Sequence, residues 1–155
     1  MTRKHGHTRS GGIKENNLIQ FRYYHQLATL FPNPRNRLVL NGGFYVYGMI
    51  RANSQSREYN VEFRSRHGKI GVFLHGLRFS KEEFANIPHI YTDMSSISKQ
   101  TLCLCLYRNK VQRIEYDFGD DLESTIIPWT QEWLYFYEFF LITGKWYGNG
   151  EHQGA

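Results

Sequence analysis

The distribution of apolar and polar positions predicts a helix followed by a three-stranded meander. From Glu15 to Phe31, apolar side chains recur every three or four residues, as they do on one face of an α-helix. Pro32 ends this helix, because the residue before a proline avoids the helical region. Apolar runs joined by short connections then favour antiparallel strands. The strands are predicted at 38–50, 59–64 and 70–74, with a tight turn at 66–69.

A second pattern follows a polar segment at 92–100. Leu102, Leu104 and Leu106 alternate with Cys103 and Cys105. Because successive side chains of a strand point to opposite faces, this pattern predicts a strand with its leucines on one face and both cysteines on the other.

The strongest helical pattern runs from Leu122 to Ile142, and Gly144 is placed to end it. The order of helix, sheet, cysteine segment and helix is typical of an α+β domain. Tyr135 and Phe139 lie on the other side of this helix from its main aromatic stripe, and they predict a surface for a homodimer or a partner. The aromatic side chains expected to anchor the helix in the core are Trp133, Phe136, Tyr137 and Phe140.

The length and composition of the chain indicate one globular domain. Of its 155 residues, 41% are apolar and 16% aromatic, enough to fill a core without disulfides or metals. No apolar run approaches the ~20 residues that span a bilayer, so no membrane segment is expected. The two cysteines lie two positions apart, which suits a disulfide poorly, so we expect a reducing, cytoplasmic location.

The net charge of +5 is concentrated at the N-terminus. We therefore predict a disordered basic tail over 1–14 and a folded domain over 15–152. Of 19 Lys and Arg, four lie in the tail, which leaves 15 against 14 acidic residues. Nucleic-acid-binding modules carry their excess charge on the folded surface, so this distribution argues against that class. The four tail charges are Arg3, Lys4, Arg9 and Lys14.

Candidate chemistry centres on the two thiols. A nucleophilic thiol needs access and a nearby positive group or base, and His89 is the nearest candidate in the sequence. The alternatives are a small buried cysteine and a structural histidine in a loop. Cys103 and Cys105 lack the spacing of a zinc site, so no metal is expected. No loop of the phosphate-cradling type is present, so no nucleotide cofactor is expected.

Five strings in the second half of the chain carry specific motifs, the clearest being Pro-Trp-x-x-Glu-Trp-Leu and Thr-Gly-x-Trp-x-Gly-x-Gly-x-His. In order, the strings are Pro88–Tyr91, Leu104–Tyr107, Ile126–Leu134, Tyr137–Glu138 and Thr143–His152. Together they resemble a bacterial family of ubiquitin-conjugating-enzyme-like proteins. This family belongs to type II CBASS, the cyclic-oligonucleotide-based antiphage signalling systems. The resemblance covers about Leu18 to His152, and it implies a ubiquitin-conjugating-enzyme-like fold.

The resemblance also implies a function. Such proteins look like cysteine-dependent acyl transferases that carry the C-terminus of a partner cGAS/DncV-like nucleotidyltransferase as a thioester. They pass it to an amine, which primes cyclic-oligonucleotide synthesis during phage infection. The acyl group is activated either by a separate enzyme or before the partner arrives.

The matching strings also imply site residues. Cys105 takes the nucleophile position and His89 assists it, whereas Cys103 offers a second Leu-Cys-Leu frame. The best-known ubiquitin-conjugating enzymes have a His-Pro-Asn turn, and its Asn is missing here. The oxyanion donor is therefore either His89 or backbone N–H groups. A compact turn with Trp146 is expected beside the site, where His152 either supports the reacting groups or is a surface histidine.

Two other functions remain open from the sequence. One is a catalytically inert binding module of the same fold, whose activity would survive replacement of both thiols. The other is nucleic-acid binding by the basic tail, which would weaken steeply with salt.

Overall fold

The computed structural model describes residues 7–39, 41, 43–109 and 113–148, and these residues form the predicted α+β fold. Helices precede, interrupt and follow one sheet. The helices are α1 (His7–Leu30), α2 (Lys81–Asn86) and α3 (Ile126–Thr143), with a 3-10 turn at Thr92–Met94. The strands are β1 (Arg37–Leu38), β2 (Phe44–Arg51), β3 (Glu58–Arg66), β4 (Lys69–His75) and β5 (Leu102–Cys103).

The sheet is an antiparallel meander whose five strands lie in chain order. In its centre, Phe63 of β3 pairs with Val46 on one side and Val72 on the other. The predicted tight turn joins β3 to β4, and both His67 (φ 51°) and Gly68 (φ 74°) adopt the left-handed conformation. Two such residues make the two-residue hairpin whose twist matches that of the strands.

Both long helices pack against the core that this sheet builds. Phe31, just after α1, lies 5.3 Å from Phe63 between ring centroids, and Tyr59 of β3 lies 6.4 Å from Tyr137 of α3. Removal of this apolar surface from water is the main stabilising contribution to such a fold. The core side chains that are fully enclosed include Tyr23, Leu27, Phe44, Phe63, Leu74, Leu102, Leu122 and Leu134.

The predicted apolar stripe of α1 was wrong in part. Leu18 and Phe21 are exposed, whereas the polar Gln20 is buried. The side-chain oxygen of Gln20 accepts hydrogen bonds from the Ser65 hydroxyl at 3.2 Å and from the Gly68 N–H at 3.1 Å. Because its side-chain oxygen is hydrogen-bonded, Gln20 can occupy a buried position where the periodicity would predict an apolar residue.

The N-terminal end of α1 overlaps the segment predicted as a tail. The helix begins at His7, and Gly12 breaks its geometry with φ 67° and ψ −153°. Residues 1–6 lie outside the described residues. Disorder over 1–14, and a domain boundary at residue 15, stay predictions.

Helix α3 begins at Ile126, four residues later than predicted, and Gly144 (φ 78°) follows its last residue as expected. Trp133 and Tyr137 are buried, whereas the other two expected anchors, Phe136 and Phe140, are only partly buried. In the part of the chain that the structure describes, no helix has the length and apolar character needed to cross a membrane.

The polar face of the sheet holds a buried carboxylate. Glu62 of β3 is 3% exposed, and Arg64 Nε donates to its Oε2 at 2.8 Å. His75 Nε2 lies 2.7 Å from Glu62 Oε1. Burial alone would raise the pKa of Glu62, but the hydrogen bonds from His75 and Arg64 outweigh it and leave the pKa below its ordinary value.

We predict that Glu62→Gln lowers the free energy of unfolding by about 1.5–3 kcal/mol at pH 7, as for hydrogen bonds to charged groups. A lowered pKa stabilises the fold above the unfolded value of about 4.3, and this contribution is lost as pH falls through the folded value. Urea denaturation should therefore show the difference from wild type shrinking below about pH 4.

Glu58→Gln is the matched control, because Glu58 pairs with Arg51 at 3.6 Å where both side chains are 47% exposed. An exposed pair of this kind contributes about 0–1 kcal/mol. Equal losses in the two variants would contradict the role given to Glu62.

Candidate active site

The cysteine segment lies between β4 and the segment at 89–91. On one side Cys103 pairs with Phe73 in the ladder. On the other side, Tyr91 N–H donates to the Cys103 carbonyl at 2.9 Å, and Cys105 N–H donates to the His89 carbonyl at 3.0 Å. This antiparallel pairing brings His89 opposite Cys105 and Tyr91 opposite Cys103.

The regular strand is shorter than predicted, since β5 contains only Leu102–Cys103. The predicted division of faces nevertheless holds. Leu102, Leu104 and Leu106 all belong to the apolar core cluster, whereas neither cysteine does. The two thiols therefore lie on the face that the core does not occupy.

Cys105 lines a narrow aromatic cleft with a free volume of about 30 Å³. Such a volume holds roughly one water molecule. The thiol is 7% exposed, and its Sγ donates to the Tyr107 carbonyl at 3.7 Å. The remaining walls are His89, Leu106, Trp129, Glu132, Trp133, Phe136 and Trp146.

Tyr91 also contacts the Cys105 thiol. The pKa of Tyr91 is raised above its ordinary value, first by burial of the hydroxyl and then by its hydrogen bond with Cys105. A phenol with a raised pKa stays protonated near neutral pH, so it donates the hydrogen bond to the sulfur. The residue as a whole is 42% exposed, so Tyr91 is only partly buried beside the thiol.

Cys103 has a different environment, although it lies only two residues away. It is 3% exposed, and its N–H donates to the Ser95 hydroxyl at 2.8 Å, so the segment after Tyr91 covers it. Burial raises the pKa of the Cys103 thiol to about 12, although Arg64 acts in the opposite direction. A thiol with this pKa is protonated at neutral pH and is a poor nucleophile.

His89 is held in an unusual backbone conformation above Cys105. Its φ of 58° lies in the left-handed region, which residues other than glycine rarely adopt. Its carbonyl accepts from Cys105 N–H and, at 2.9 Å, from the indole N–H of Trp133. Its ring lies 4.9 Å from that of Trp146 between centroids. Such strain persists only where the surroundings determine the conformation, and it is concentrated at functional sites.

Comparison with known protein families identifies one that this chain matches. The model of the family described as "Type II CBASS E2 protein" matches residues 24–153. The chain belongs to this family. The resemblance read from the motifs is confirmed, and the fold is consistent with the E2-like architecture. No curated protein matches the chain.

In this type II CBASS E2 protein, Trp146 lies beside the cleft as expected. Gly148 packs so closely that a Cβ there would approach Trp146 Nε1 to 2.6 Å. His152 lies outside the described residues, so its supporting role stays a prediction. Among the residues described, no three His, Cys, Asp or Glu side chains are grouped so that they could hold a metal ion.

Sequence reasoning missed the contact between Tyr91 and Cys105 in the E2 protein. Tyr91 occurs in the Pro88–Tyr91 string, but nothing local indicates that its hydroxyl reaches a thiol 14 positions later. The only available signal was the apolar character of Ile90 and Leu104, which pair in an isolated bridge and so set the register of the two segments.

We predict that Trp133→Phe weakens the contact between α3 and His89. The substitution keeps a ring but removes the indole N–H, so we expect the free energy of unfolding to fall by about 1–3 kcal/mol from the hydrogen bond and lost packing together. Alkylation of Cys105 by iodoacetamide should become faster as His89 loosens. Urea denaturation and mass spectrometry measure the two effects.

Trp129→Phe is the control, because it removes an indole from the same cleft without changing the donors to the His89 carbonyl. It should leave the alkylation rate nearer to that of wild type. If both variants accelerate alkylation equally, the hydrogen bond to His89 does not hold the segment.

Proposed function

We propose that this E2 protein is a cysteine-dependent acyl transferase with Cys105 as its nucleophile. In this proposal, Cys105 carries the C-terminus of a partner cGAS/DncV-like nucleotidyltransferase as a thioester and transfers it to an amine. The product primes cyclic-oligonucleotide synthesis in antiphage defence. The observation that carries the proposal is the contrast between the thiols, because Cys105 lines a cleft with His89 whereas Cys103 is covered and held protonated.

Loading begins when the Cys105 sulfur attacks the activated carbonyl carbon at the partner's C-terminus. The S–C bond forms, the activating group leaves with its electron pair, and the thiol proton passes to a base. In the transfer step an amine attacks the same carbon, so that a C–N bond forms and the C–S bond breaks, and the proton of the amine passes to the departing sulfur or to a base. A thiolate serves both steps, because it is a good nucleophile and a reasonable leaving group.

His89 is the base that this geometry offers. A neutral imidazole accepts the proton from the thiol, and an imidazolium beside the sulfur would favour the thiolate. The two hydrogen bonds to the His89 carbonyl hold the residue over the cleft that Cys105 lines. The backbone N–H of Cys105 already donates to that carbonyl, so it is not available to the oxyanion. Among the alternatives from the sequence, His89 is therefore the stronger donor candidate.

An inert binding module is the second candidate, and one observation favours it. Tyr135, Phe139 and Ile142 are exposed on α3 and line a groove of about 240 Å³ together with Asn53. Exposed apolar patches of this kind mark interaction surfaces. A homodimer or a partner contact on this face would need neither thiol.

We predict that co-expression with the partner nucleotidyltransferase gives a covalent adduct that thiols cleave. Cys105→Ala should abolish the adduct, and Cys105→Ser should trap a more stable ester. Cys103→Ala is the matched control and should retain the adduct. His89→Ala should slow formation or transfer, where loss of an acid–base group typically costs ~10²–10⁴ in rate. Intact-mass spectrometry with and without hydroxylamine measures each outcome.

Two outcomes would contradict the assignment. Loss of the adduct in Cys103→Ala with retention in Cys105→Ala would reverse the roles of the thiols. An antiphage activity that survives replacement of both thiols would favour the inert binding module instead.

A further inference from the structure

The antiparallel pairing of two short segments determines which side chains surround the Cys105 sulfur. Ile90 and Leu104 are directly opposite each other, so Tyr91 is opposite Cys103 and diagonal to Cys105. Side chains of diagonal pairs on one face of a ladder are within reach when one of them is aromatic. A tyrosine at this position can therefore extend its hydroxyl to a thiol two residues beyond its direct partner.

The sulfur of Cys105 makes two polar contacts of opposite kinds. Its S–H donates to the Tyr107 carbonyl at 3.7 Å. The hydroxyl of Tyr91, diagonal to Cys105 on the same face of the pairing, lies within hydrogen-bonding reach of the same sulfur. When the thiol loses its proton, the contact with the carbonyl loses its donor, whereas the phenol still donates to the sulfur. The pair of contacts therefore favours the anion through Tyr91 alone.

We infer that Tyr91 is a catalytic residue whose O–H donates to the Cys105 sulfur and stabilises its thiolate. This inference rests on the proposed function of Cys105. In the loading step the hydrogen bond stabilises the attacking sulfur, and in the transfer step it stabilises the departing one. Tyr91 keeps its own proton throughout, and the proton of the thiol goes to His89 or to water.

Two other groups that could stabilise the anion are engaged elsewhere. Arg64, which acts on Cys103, belongs to the polar cluster around Glu62. The backbone N–H of Cys105 is engaged by His89. Among the residues that the structure describes, the titratable groups that face Cys105 come from three elements. They are His89 and Tyr91 from one segment, Cys103 and Tyr107 from its own, and Glu132 from α3.

The test is the pH dependence of Cys105 alkylation by iodoacetamide, which needs no partner protein. All variants are made in a Cys103→Ala background, so that Cys105 is the one thiol left to be alkylated. We expect Tyr91→Phe to raise the midpoint of alkylation by about one to two pH units, as for loss of a hydrogen bond to a charged group. Tyr135→Phe is the control, since Tyr135 is an exposed tyrosine on α3, and it should leave the midpoint unchanged.

Tyr91→His separates the hydrogen bond from the bulk of the ring, because it keeps an aromatic ring and an N–H donor. Its midpoint should shift less than that of Tyr91→Phe. Thermal unfolding of each variant verifies that the fold is intact. An unchanged or lowered midpoint in Tyr91→Phe, or equal shifts in both variants, overturns the role of Tyr91.

The same proteins distinguish failure of this inference from failure of the proposed function. If wild type forms the partner thioester and Tyr91→Phe forms it at the wild-type rate near pH 7, the role of Tyr91 is wrong although the function stands. If wild type forms no thioester, the proposed function fails, and Tyr91 is then not a catalytic residue whatever the alkylation midpoint.

Discussion

The carbonyl of His89 joins the three parts of the fold that make the candidate site. It accepts one hydrogen bond from the segment after β5, through Cys105 N–H, and one from α3, through the indole of Trp133. Both donors are buried, so either would be costly to leave unsatisfied. The two bonds hold His89 in a left-handed conformation that the residue alone would avoid. The positions of His89, Cys105 and Trp133 in the cleft are therefore linked through this one acceptor.

The difference between the two thiols follows from where the sheet ends. Cys103 is the last residue of β5 and lies between Phe73 and Tyr91, with Ser95 bonded to its N–H. Two residues later the chain has left the regular ladder with β4, and Cys105 lines the cleft. Both cysteines lie on the same face of the segment. The reactivity of each thiol therefore depends on which residues cover it and not on the face that it occupies. One segment therefore holds both a shielded thiol and a thiol that lines a cleft.

Periodicity in the sequence was enough to predict the three central strands of the meander, most of α3 and the common face of the cysteines, because each is set by contacts between near neighbours. The strand predicted over 38–50 is divided between β1 and β2. The motif strings were enough to identify the family. The stripe of α1 was mispredicted because Gln20 is satisfied by Ser65 and Gly68, about 45 positions later. Tyr91 was missed for the same reason, since the pairing that brings it to Cys105 is a tertiary contact. Local patterns predict elements, but they do not predict which distant polar atoms meet.

The contacts of Cys105 also bear on the missing Asn of the His-Pro-Asn turn. That Asn is associated with the oxygen of the tetrahedral intermediate, whereas the polar contacts here are made to the sulfur, by Tyr91 and the Tyr107 carbonyl. In the loading step negative charge moves from the sulfur to the carbonyl oxygen, and in the transfer step it returns to the sulfur. Under the proposed function, a hydrogen bond from Tyr91 would increase the fraction of Cys105 present as thiolate before attack and stabilise the thiolate as it departs. The charge on the oxygen would still need a donor, for which His89 is the candidate.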